Sequence, residues 1–209
     1  MSEGTARLQR ALALFDAANA EDPNLDGEAG RQQPKELLYA RRMSQMLARF
    51  APGAAESVQL AVRAQHLQRW HIPRRDYPMT PAGYQLWRTT LYRYHADRAG
   101  GLMRQAGYDE DMIARVQKIV AKRGIKANPE TQLLEDVVGL VFLEHYLTAF
   151  VAQHPEYDEA KWIDILQKTW KKMSAAGQEA ALTRIELPEK LLPLLLRAVA
   201  GGQQRESER

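Results

Sequence analysis

The sequence contains no cysteine, and this absence removes several kinds of chemistry from consideration. Without thiols there is no disulfide framework, no thiolate nucleophile and no Cys-ligated zinc site. The chain also lacks the phosphate-cradling pattern G-x-x-x-x-G-K-[ST], the nucleophile pattern G-x-S-x-G and the metalloprotease pattern H-E-x-x-H. Glu144 and His145 are adjacent, so the Glu-x-x-His spacing of a ferritin-like di-iron site is missing as well.

Long apolar runs and a secretory signal are missing too. No segment approaches the length of a membrane span, and the start MSEGTARLQRALALF lacks the charged, apolar and small-residue regions of a signal peptide. We therefore expect a cytoplasmic protein without a membrane partner. The net charge is only +3, from 29 Lys plus Arg against 26 Asp plus Glu, so any basic binding site must be local.

Helical periodicity is what the sequence does contain. Almost every long segment repeats its apolar residues with a period near 3.6, and none alternates as a strand does. This pattern predicts an all-α fold, a compact bundle of about seven to nine helices in one domain over residues 1–200, and a disordered tail at 201–209. The predicted helices include 5–20, 34–50, 54–70, 109–123 and 129–153. A further helix begins at Thr80 and Pro81 and is expected to be bent or interrupted at Gly100-Gly101.

Polar side chains fall on the apolar faces of three predicted helices. At about 100° per residue, His66 and Arg69 share one face with the valines of the third helix and should point inward. His95 lies within the apolar stripe of the fourth helix, and Asp136, beside Glu135, lies in the most apolar helix. Buried polar groups need partners. A shared site would provide them, whereas core histidines with separate partners and a capping carboxylate are the ordinary alternative.

The order and spacing of these residues resemble the HD-domain phosphohydrolases, an all-α superfamily that includes nucleotide and guanosine-tetraphosphate hydrolases. The motif AQHLQRW supplies His66, LYRYHADRAG supplies His95, and LLEDVVGLVFLE supplies Asp136, at places where that family binds a divalent metal. The resemblance covers about residues 35–150. One position departs from the family, because Ala96 follows the second histidine where the family has Asp. Either another group such as Glu135 completes the coordination, or the metal is absent and the fold has become a binding module.

The whole chain also resembles a closer family, domain of unknown function 4202. Four segments carry this resemblance: ELLYARRM, QHLQRWHIPRRDYP, GYQLWR and EDVVGLVFLEHY. They combine runs of Trp, Tyr, Arg and His and are more specific than the HD motifs. The resemblance implies no established activity.

The HD resemblance implies a ligand set and catalytic residues. His66, His95 and Asp136 would ligate a divalent ion such as manganese, iron, zinc or magnesium, which polarises a phosphoryl group and activates water. Glu135 would serve as an extra ligand or as the base, and Arg69 would stabilise developing charge. Arginines suit phosphate because they bind it bidentately, although a solvated surface arginine is the commoner case. The predicted phosphate contacts are Arg42, Arg69, Arg74, Arg75 and Arg88.

Two functions stay open at this point. One is a metal-dependent phosphohydrolase acting on a nucleotide or another phosphorylated small molecule. The other is a non-catalytic module that binds a nucleotide, an RNA such as tRNA, or a protein through the Arg-rich loop 69–75. Loop aromatics such as Trp70 and Tyr84 could stack on a base, although core packing is the ordinary role and is expected of Trp87. Ala96 favours the module, and the inward histidines favour the enzyme.

Overall fold

The computed structural model of the protein describes residues 3–28, 30–187 and 191–207. It is 74% helical, with ten α-helices in this described part and one small two-stranded sheet. The predicted all-α class is therefore confirmed, with slightly more helices than expected. The chain divides into two compact units, Met1–Leu134 and Glu135–Arg209. The prediction of one domain over residues 1–200 stays a prediction.

The first unit is built from five complete helices. They are α1 (Glu3–Ala20), α2 (Lys35–Phe50), α3 (Glu56–Ala64), α4 (Pro81–Ala106) and α5 (Glu110–Val120). Helix α4 packs against α1 and α5, and α3 packs against α2 and α5. Large apolar side chains from all five helices are fully buried between them and form the core of this unit: Phe15, Leu38, Met43, Leu60, Leu91, Met103, Ile113 and Ile119.

A short hairpin joins α1 to α2, where the sequence predicted only a polar loop. Its strands, β1 (Leu25–Glu28) and β2 (Arg31–Pro34), are antiparallel, with Leu25 opposite Pro34. The hairpin shows no alternation of apolar and polar residues, so its strand character depends on backbone hydrogen bonds that the hydrophobic pattern does not reveal. This small hairpin is consistent with the all-α class.

Helix α3 is shorter than predicted. It ends at Ala64 rather than near residue 70, and turns lead into two single-turn 3₁₀ segments, Arg69–His71 and Arg74–Asp76. The Pro-rich segment HIPRRDYPMTPAG, which follows Trp70 and contains Pro73, Pro78 and Pro81, thus includes regular 3₁₀ structure. Helix α4 then begins as predicted, with the Thr80 hydroxyl accepting a hydrogen bond from the Gly83 N–H at 3.1 Å and Pro81 in the first turn.

The Gly100-Gly101 pair does not interrupt α4, so the predicted interruption is wrong, while the predicted alternative of a bend stays a prediction. A Cβ atom at Gly100 would lie 3.2 Å from Cγ2 of Ile113 on α5 and would also crowd the Gln117 side chain. Glycine at this position therefore permits a close approach of α4 and α5. The packing between the two helices offsets the low helix propensity of glycine.

The second unit begins within α6 (Pro129–Val141). A π-helical segment, Phe142–Tyr146, links α6 to α7 (Leu147–Gln153), so the helix predicted over 129–153 is helical throughout but is not a regular α-helix. Three further helices follow: α8 (Glu159–Lys172), α9 (Ala175–Thr183) and α10 (Leu192–Ser207). Helix α8 packs against α10, and α10 includes residues 201–207 of the predicted tail. Residues 208 and 209 lie outside the described residues.

Within the described ranges, none of the helices combines the length and the apolar character needed to span a bilayer.

Two glycines of α4 provide a test of this packing. At Gly83 an added methyl group would overlap the carbonyl oxygen of Pro78, whereas at Gly101 no atom lies within 4 Å of the place where a Cβ would be added. We expect Gly83→Ala to lower the free energy of unfolding by about 1–3 kcal/mol. Gly101→Ala should raise it by about 0.5–1 kcal/mol, because alanine favours the helix. Urea denaturation followed by circular dichroism measures both, and changes of the same sign would contradict the described start of α4.

Candidate functional site

Glu36 is held at the start of α2 by side chains from the end of α1 and the following loop. The Glu36 N–H donates to Oδ2 of Asp22 at 3.0 Å, so Asp22 supplies a hydrogen-bond acceptor at the first turn of the helix. Oδ1 of Asp22 accepts two further hydrogen bonds from Asn24. The backbone carbonyl of Glu36 lies 3.4 Å from Nδ2 of Asn19. These contacts fix the carboxylate of Glu36 next to the end of α3.

The turn after α3 is shaped by a residue with a left-handed backbone. Gln68 has φ 52° and ψ 40°, a conformation that non-glycine residues rarely adopt. Its N–H donates to Oδ1 of Asn19 at 2.9 Å, and its side-chain carbonyl accepts from Nε of Arg98 at 2.8 Å. The preceding Leu67 is fully buried. This turn brings Arg69 back towards His66.

His66 lies at the centre of a group of interacting side chains. Its ring stacks on that of Tyr39, with centroids 4.0 Å apart and planes 12° apart. Nδ1 of His66 lies 3.1 Å from Oε2 of Glu36, and Nε2 lies 3.0 Å from Nη1 of Arg69. Arginine can only donate, so Nε2 accepts, and Nδ1 carries the proton that His66 donates to Glu36. We call Glu36, Tyr39, His66, Arg69 and His95 the His66 cluster.

The surroundings of His66 keep its imidazole neutral. Loss of solvent around the ring is the largest cause that lowers its pKa well below the ordinary value of 6.5. Four positive side chains lower that pKa further: Arg69, Lys122, Lys35 and Arg88. The side chain of His66 nevertheless keeps 22% of its surface exposed, so the ring can be reached from solvent.

His95 presents a second neutral imidazole to the cluster. Its ring centroid lies 5.9 Å from that of His66, and its Nδ1 donates to the backbone carbonyl of Leu67 at 2.9 Å. Burial is the largest cause that lowers the pKa of His95 to about 3, and the nearby His66 is the second. Nε2 of His95 is therefore an unprotonated acceptor, and it is buried without a hydrogen-bond partner among the described residues. Buried groups of this kind are uncommon in folded proteins.

Glu36 is the carboxylate that faces these imidazoles. Burial is the largest cause that raises its pKa above the ordinary 4.5, while the charges of Arg69 and Lys35 act in the opposite direction. Four cations act on His66, while Asp26 is a second negative side chain that acts on Glu36. The arrangement can stabilise an added anion more readily than an added cation.

Arginine and aromatic side chains extend from the cluster along the 3₁₀ segments and the start of α4. The guanidinium carbon of Arg69 lies 4.8 Å from the ring centroid of Trp87, whose Nε1 donates to the carbonyl of Ile72 at 2.9 Å. Arg74 donates to the carbonyls of Tyr77 and Pro78 at 2.9 and 2.8 Å. Arg74 thus holds the Pro-rich loop in shape.

The structure places the predicted site residues in different environments. His66, His95 and Arg69 come together, and the charge of Arg88 acts on His66. Arg42 is buried on α2, and 88% of the Arg75 side chain is exposed beside Asp76. Arg69 is half-buried and contacts His66, and it follows the turn after Ala64 rather than a continuing helix. The roles predicted for these arginines stay predictions.

Asp136 and Glu135 belong to the second unit. Both are buried, as predicted. Oδ1 of Asp136 accepts from the N–H of Ser174 at 2.7 Å, and Oδ2 accepts from the Ser174 hydroxyl at 2.6 Å. That hydroxyl in turn accepts from the N–H of Gly177 at the start of α9. Asp136 therefore helps to fix the first turn of α9.

A metal centre does not fit these contacts as they stand. Both nitrogens of His66 and both oxygens of Asp136 already have hydrogen-bond partners. In the part of the chain that the structure describes, no group of three or more His, Asp or Glu side chains is arranged to hold a metal ion. The ligand set His66, His95 and Asp136 stays a prediction, and so does a metal role for Glu135.

Glu36 and Tyr39 were not predicted as site residues. Both lie in the segment ELLYARRM, three residues apart on α2, so they share a helix face. An acidic residue in the first turn of a helix is ordinary, because it interacts favourably with the helix dipole. Burial of Glu36 is the unusual feature, and the sequence pattern did not reveal it.

Comparison with known proteins identifies one family. A family model described as "Domain of unknown function (DUF4202)" matches residues 9–195 of the chain. No curated protein and no solved structure matches at a significant level. The HD-domain resemblance is therefore a prediction from short motifs.

The neutral state of His95 predicts a pH-dependent stability. Its pKa is near 6.5 in the unfolded chain and about 3 in the fold. Between these values the unfolded state holds the extra proton, so the free energy of unfolding falls as the pH is lowered. His66, whose pKa is also lowered, contributes to the pH dependence in the same direction. Glu36 contributes in the opposite direction, because its pKa is raised in the fold and the folded state therefore holds more of its proton just below that pKa. The slope per buried imidazole is about 1.4 kcal/mol per pH unit.

His95→Asn isolates this contribution, because an Asn side-chain amide can donate to the Leu67 carbonyl but does not titrate. We expect denaturant unfolding between about pH 6.5 and 5 to show a shallower slope in this variant than in the unaltered protein. Leu91→Ala, which removes buried apolar atoms of α4 but no titrating group, is the control: it should lower the free energy of unfolding and keep the original slope. An unchanged slope in His95→Asn would show that His95 is not a neutral buried group.

Proposed function

This chain belongs to the DUF4202 family, and we propose that it binds a phosphorylated small molecule, such as a nucleotide, at the His66 cluster. The observation that carries the proposal is a fixed guanidinium beside a buried acceptor. Nη1 of Arg69 lies 3.0 Å from Nε2 of His66, and Nε2 of His95 in the same cluster has no hydrogen-bond partner among the described residues. A phosphate group would pair with Arg69, and the charges of Lys122 and Lys35 also favour an anion at this place.

Arg69 is the side chain best arranged to recognise the phosphate. A guanidinium has five N–H groups, of which His66 takes one. The stacking of Arg69 on Trp87 and the hydrogen bond to His66 restrict its rotamers before a ligand arrives. Less conformational entropy is then lost on binding, which favours affinity.

The neutral histidines add hydrogen-bonding capacity beside the charged groups. Nε2 of His95 is an acceptor held in place by the bond from Nδ1 to Leu67. A ligand that offers a hydroxyl or amino hydrogen next to its phosphate would match an acceptor at this position. Nucleotides and sugar phosphates have this combination, whereas inorganic phosphate and pyrophosphate lack a separate donor.

Metal-dependent hydrolysis of such a ligand is the second candidate. It is favoured by one observation, the orientation of His95, because metal-ligating imidazoles commonly donate their other N–H to a backbone carbonyl. The contacts of His66 and Asp136 do not fit the predicted ligand set, so we derive no catalytic step. The proposed binding function does not require a metal.

Thermal unfolding in the presence of candidate ligands tests the binding proposal. Nucleoside mono-, di- and triphosphates, sugar phosphates and pyrophosphate form the panel. A ligand at about 100 times its Kd should stabilise the fold by about 2.7 kcal/mol. Arg69→Ala should weaken binding about tenfold to hundredfold, because a hydrogen bond between charged groups contributes about 1.5–3 kcal/mol.

Arg197→Ala is the matched control for charge, since Arg197 is an ion-paired surface arginine of the second unit. Circular dichroism would confirm that both variants are folded. Equal loss of ligand binding in the two variants, or no stabilisation of the unaltered protein by any compound, would rule out phosphate binding at the His66 cluster.

Elemental analysis separates the two candidate functions. After reconstitution with manganese, iron, zinc and magnesium, we expect clearly less than one bound ion per chain, because His66 and Asp136 have other partners. The measurement is repeated on His66→Ala and His95→Ala. If the unaltered protein binds one equivalent of metal and neither variant does, the metal-dependent phosphohydrolase would replace our proposal.

A further inference from the structure

A second candidate binding surface lies outside the His66 cluster, on the Pro-rich loop and the first turns of α4. Three large apolar side chains are exposed within eight residues of one another: Met79 by 80%, Tyr84 by 46% and Leu86 by 56%. Arginines adjoin them. We define the Tyr84 surface as Arg74, Arg75, Met79, Tyr84, Leu86 and Arg88.

The charge of this part of the chain is concentrated and mostly positive. Residues 69–93 contain five arginines and one aspartate, a net charge of +4, which exceeds the +3 of the whole chain. Arg75 is highly accessible, with 88% of its side chain exposed, and its Nε lies 4.0 Å from Oδ1 of Asp76. An exposed pair at that distance contributes little, so Arg75 can contact an anionic partner.

The surface is also held in a fixed shape. Arg74 is hydrogen-bonded to the carbonyls of Tyr77 and Pro78, and Pro78 packs closely against Gly83 at the start of α4. Trp87, which lies beside the ring of Tyr84 at a centroid distance of 5.8 Å, is anchored to Ile72. A partner that binds here therefore causes little loss of loop entropy.

The Tyr84 side chain is exposed and has two guanidinium groups near it. The Cζ atoms of Arg74 and Arg88 are 5.8 and 5.7 Å from its ring centroid. The exposed part of the ring offers a surface on which a base can stack, and the nearby cations offer positive charge for the adjoining phosphates. We propose that the Tyr84 surface binds a single-stranded nucleic acid.

Other anionic partners match the surface less well. An acidic peptide would pair with the arginines but would gain little from Tyr84, Met79 and Leu86. A base-paired duplex keeps its base faces stacked and would leave the Tyr84 ring without a partner. An anionic bilayer is the remaining alternative, because it offers both apolar and negatively charged groups.

Fluorescence polarisation with a labelled oligouridine of about 20 nucleotides tests the proposal. Base–aromatic stacking contributes about 1–3 kcal/mol per base, so Tyr84→Ala should weaken binding about fivefold to 150-fold. Tyr84→Phe keeps the ring and should bind as the unaltered protein does. Arg75→Glu should reduce the slope of log K against log salt by about 0.7 for each phosphate that the variant no longer neutralises.

Three controls make the outcome decisive. Lys118→Glu makes the same charge change at an exposed position of α5 and should have little effect on binding. The matched duplex should bind more weakly than the single strand. Phosphatidylserine vesicles should bind no more tightly than neutral vesicles. Equal losses in Arg75→Glu and Lys118→Glu, tight vesicle binding that Tyr84→Ala abolishes, or no oligonucleotide binding at about 50 mM salt would each overturn the proposal.

The two proposals share Arg88, which acts on His66 and adjoins Tyr84, so variants of residues that belong to the Tyr84 surface alone distinguish them. Tyr84→Ala leaves the His66 cluster intact and should not change the thermal shift caused by a phosphorylated small molecule. A chain that binds oligouridine but no small phosphate compound would therefore support this surface and reject the cluster as a phosphate site. The opposite result would reject the surface alone.

Discussion

The hydrogen bond from Arg69 to Nε2 of His66 requires a neutral imidazole, and the rest of the His66 cluster depends on that state. If Nε2 accepts, the single ring proton lies on Nδ1 and Glu36 must accept it. A protonated ring would place a donor opposite Arg69 and would add to the positive charge of Lys122 and Lys35. The fixed positive side chains therefore select both the tautomer of His66 and the position of Glu36.

The contact between His66 and Arg69 lies in the turns that follow α3, which ends at Ala64. A helix that continued to residue 70 would also have placed His66 and Arg69 on one face, as the sequence predicted. The left-handed Gln68 instead introduces a sharp turn, which costs about 1–2 kcal/mol for a non-glycine residue. Hydrogen bonds from the backbone of Gln68 to Asn19 and from Arg98 to its side chain offset that cost.

Local pattern was sufficient to predict the helices and the inward position of the histidines, but it did not identify their partners. Thr80 and Pro81 mark the start of α4 through capping rules that depend only on neighbouring residues. Glu36 reaches His66 across 30 residues, and Asp136 reaches Ser174 across 38, so both contacts arise from tertiary packing. The burial of Asp136 was predictable from its apolar helix. The partner of Asp136 was not predictable, because a buried carboxylate can either hold the first turn of a helix such as α9 or ligate a metal.

The arginines of the segment after α3 lie in two different environments, which the composition of the segment does not distinguish. Arg69 acts at hydrogen-bond distance on a largely enclosed ring, where salt screens little. Arg75 lies in solvent, where charges more than about 8 Å apart are screened at physiological ionic strength. Binding at the cluster should therefore depend on the geometry of a single guanidinium, and binding at the Tyr84 surface on the number of phosphates in reach. The two modes need different ligands, because a compact phosphate suits the enclosed site and an extended strand suits the open one.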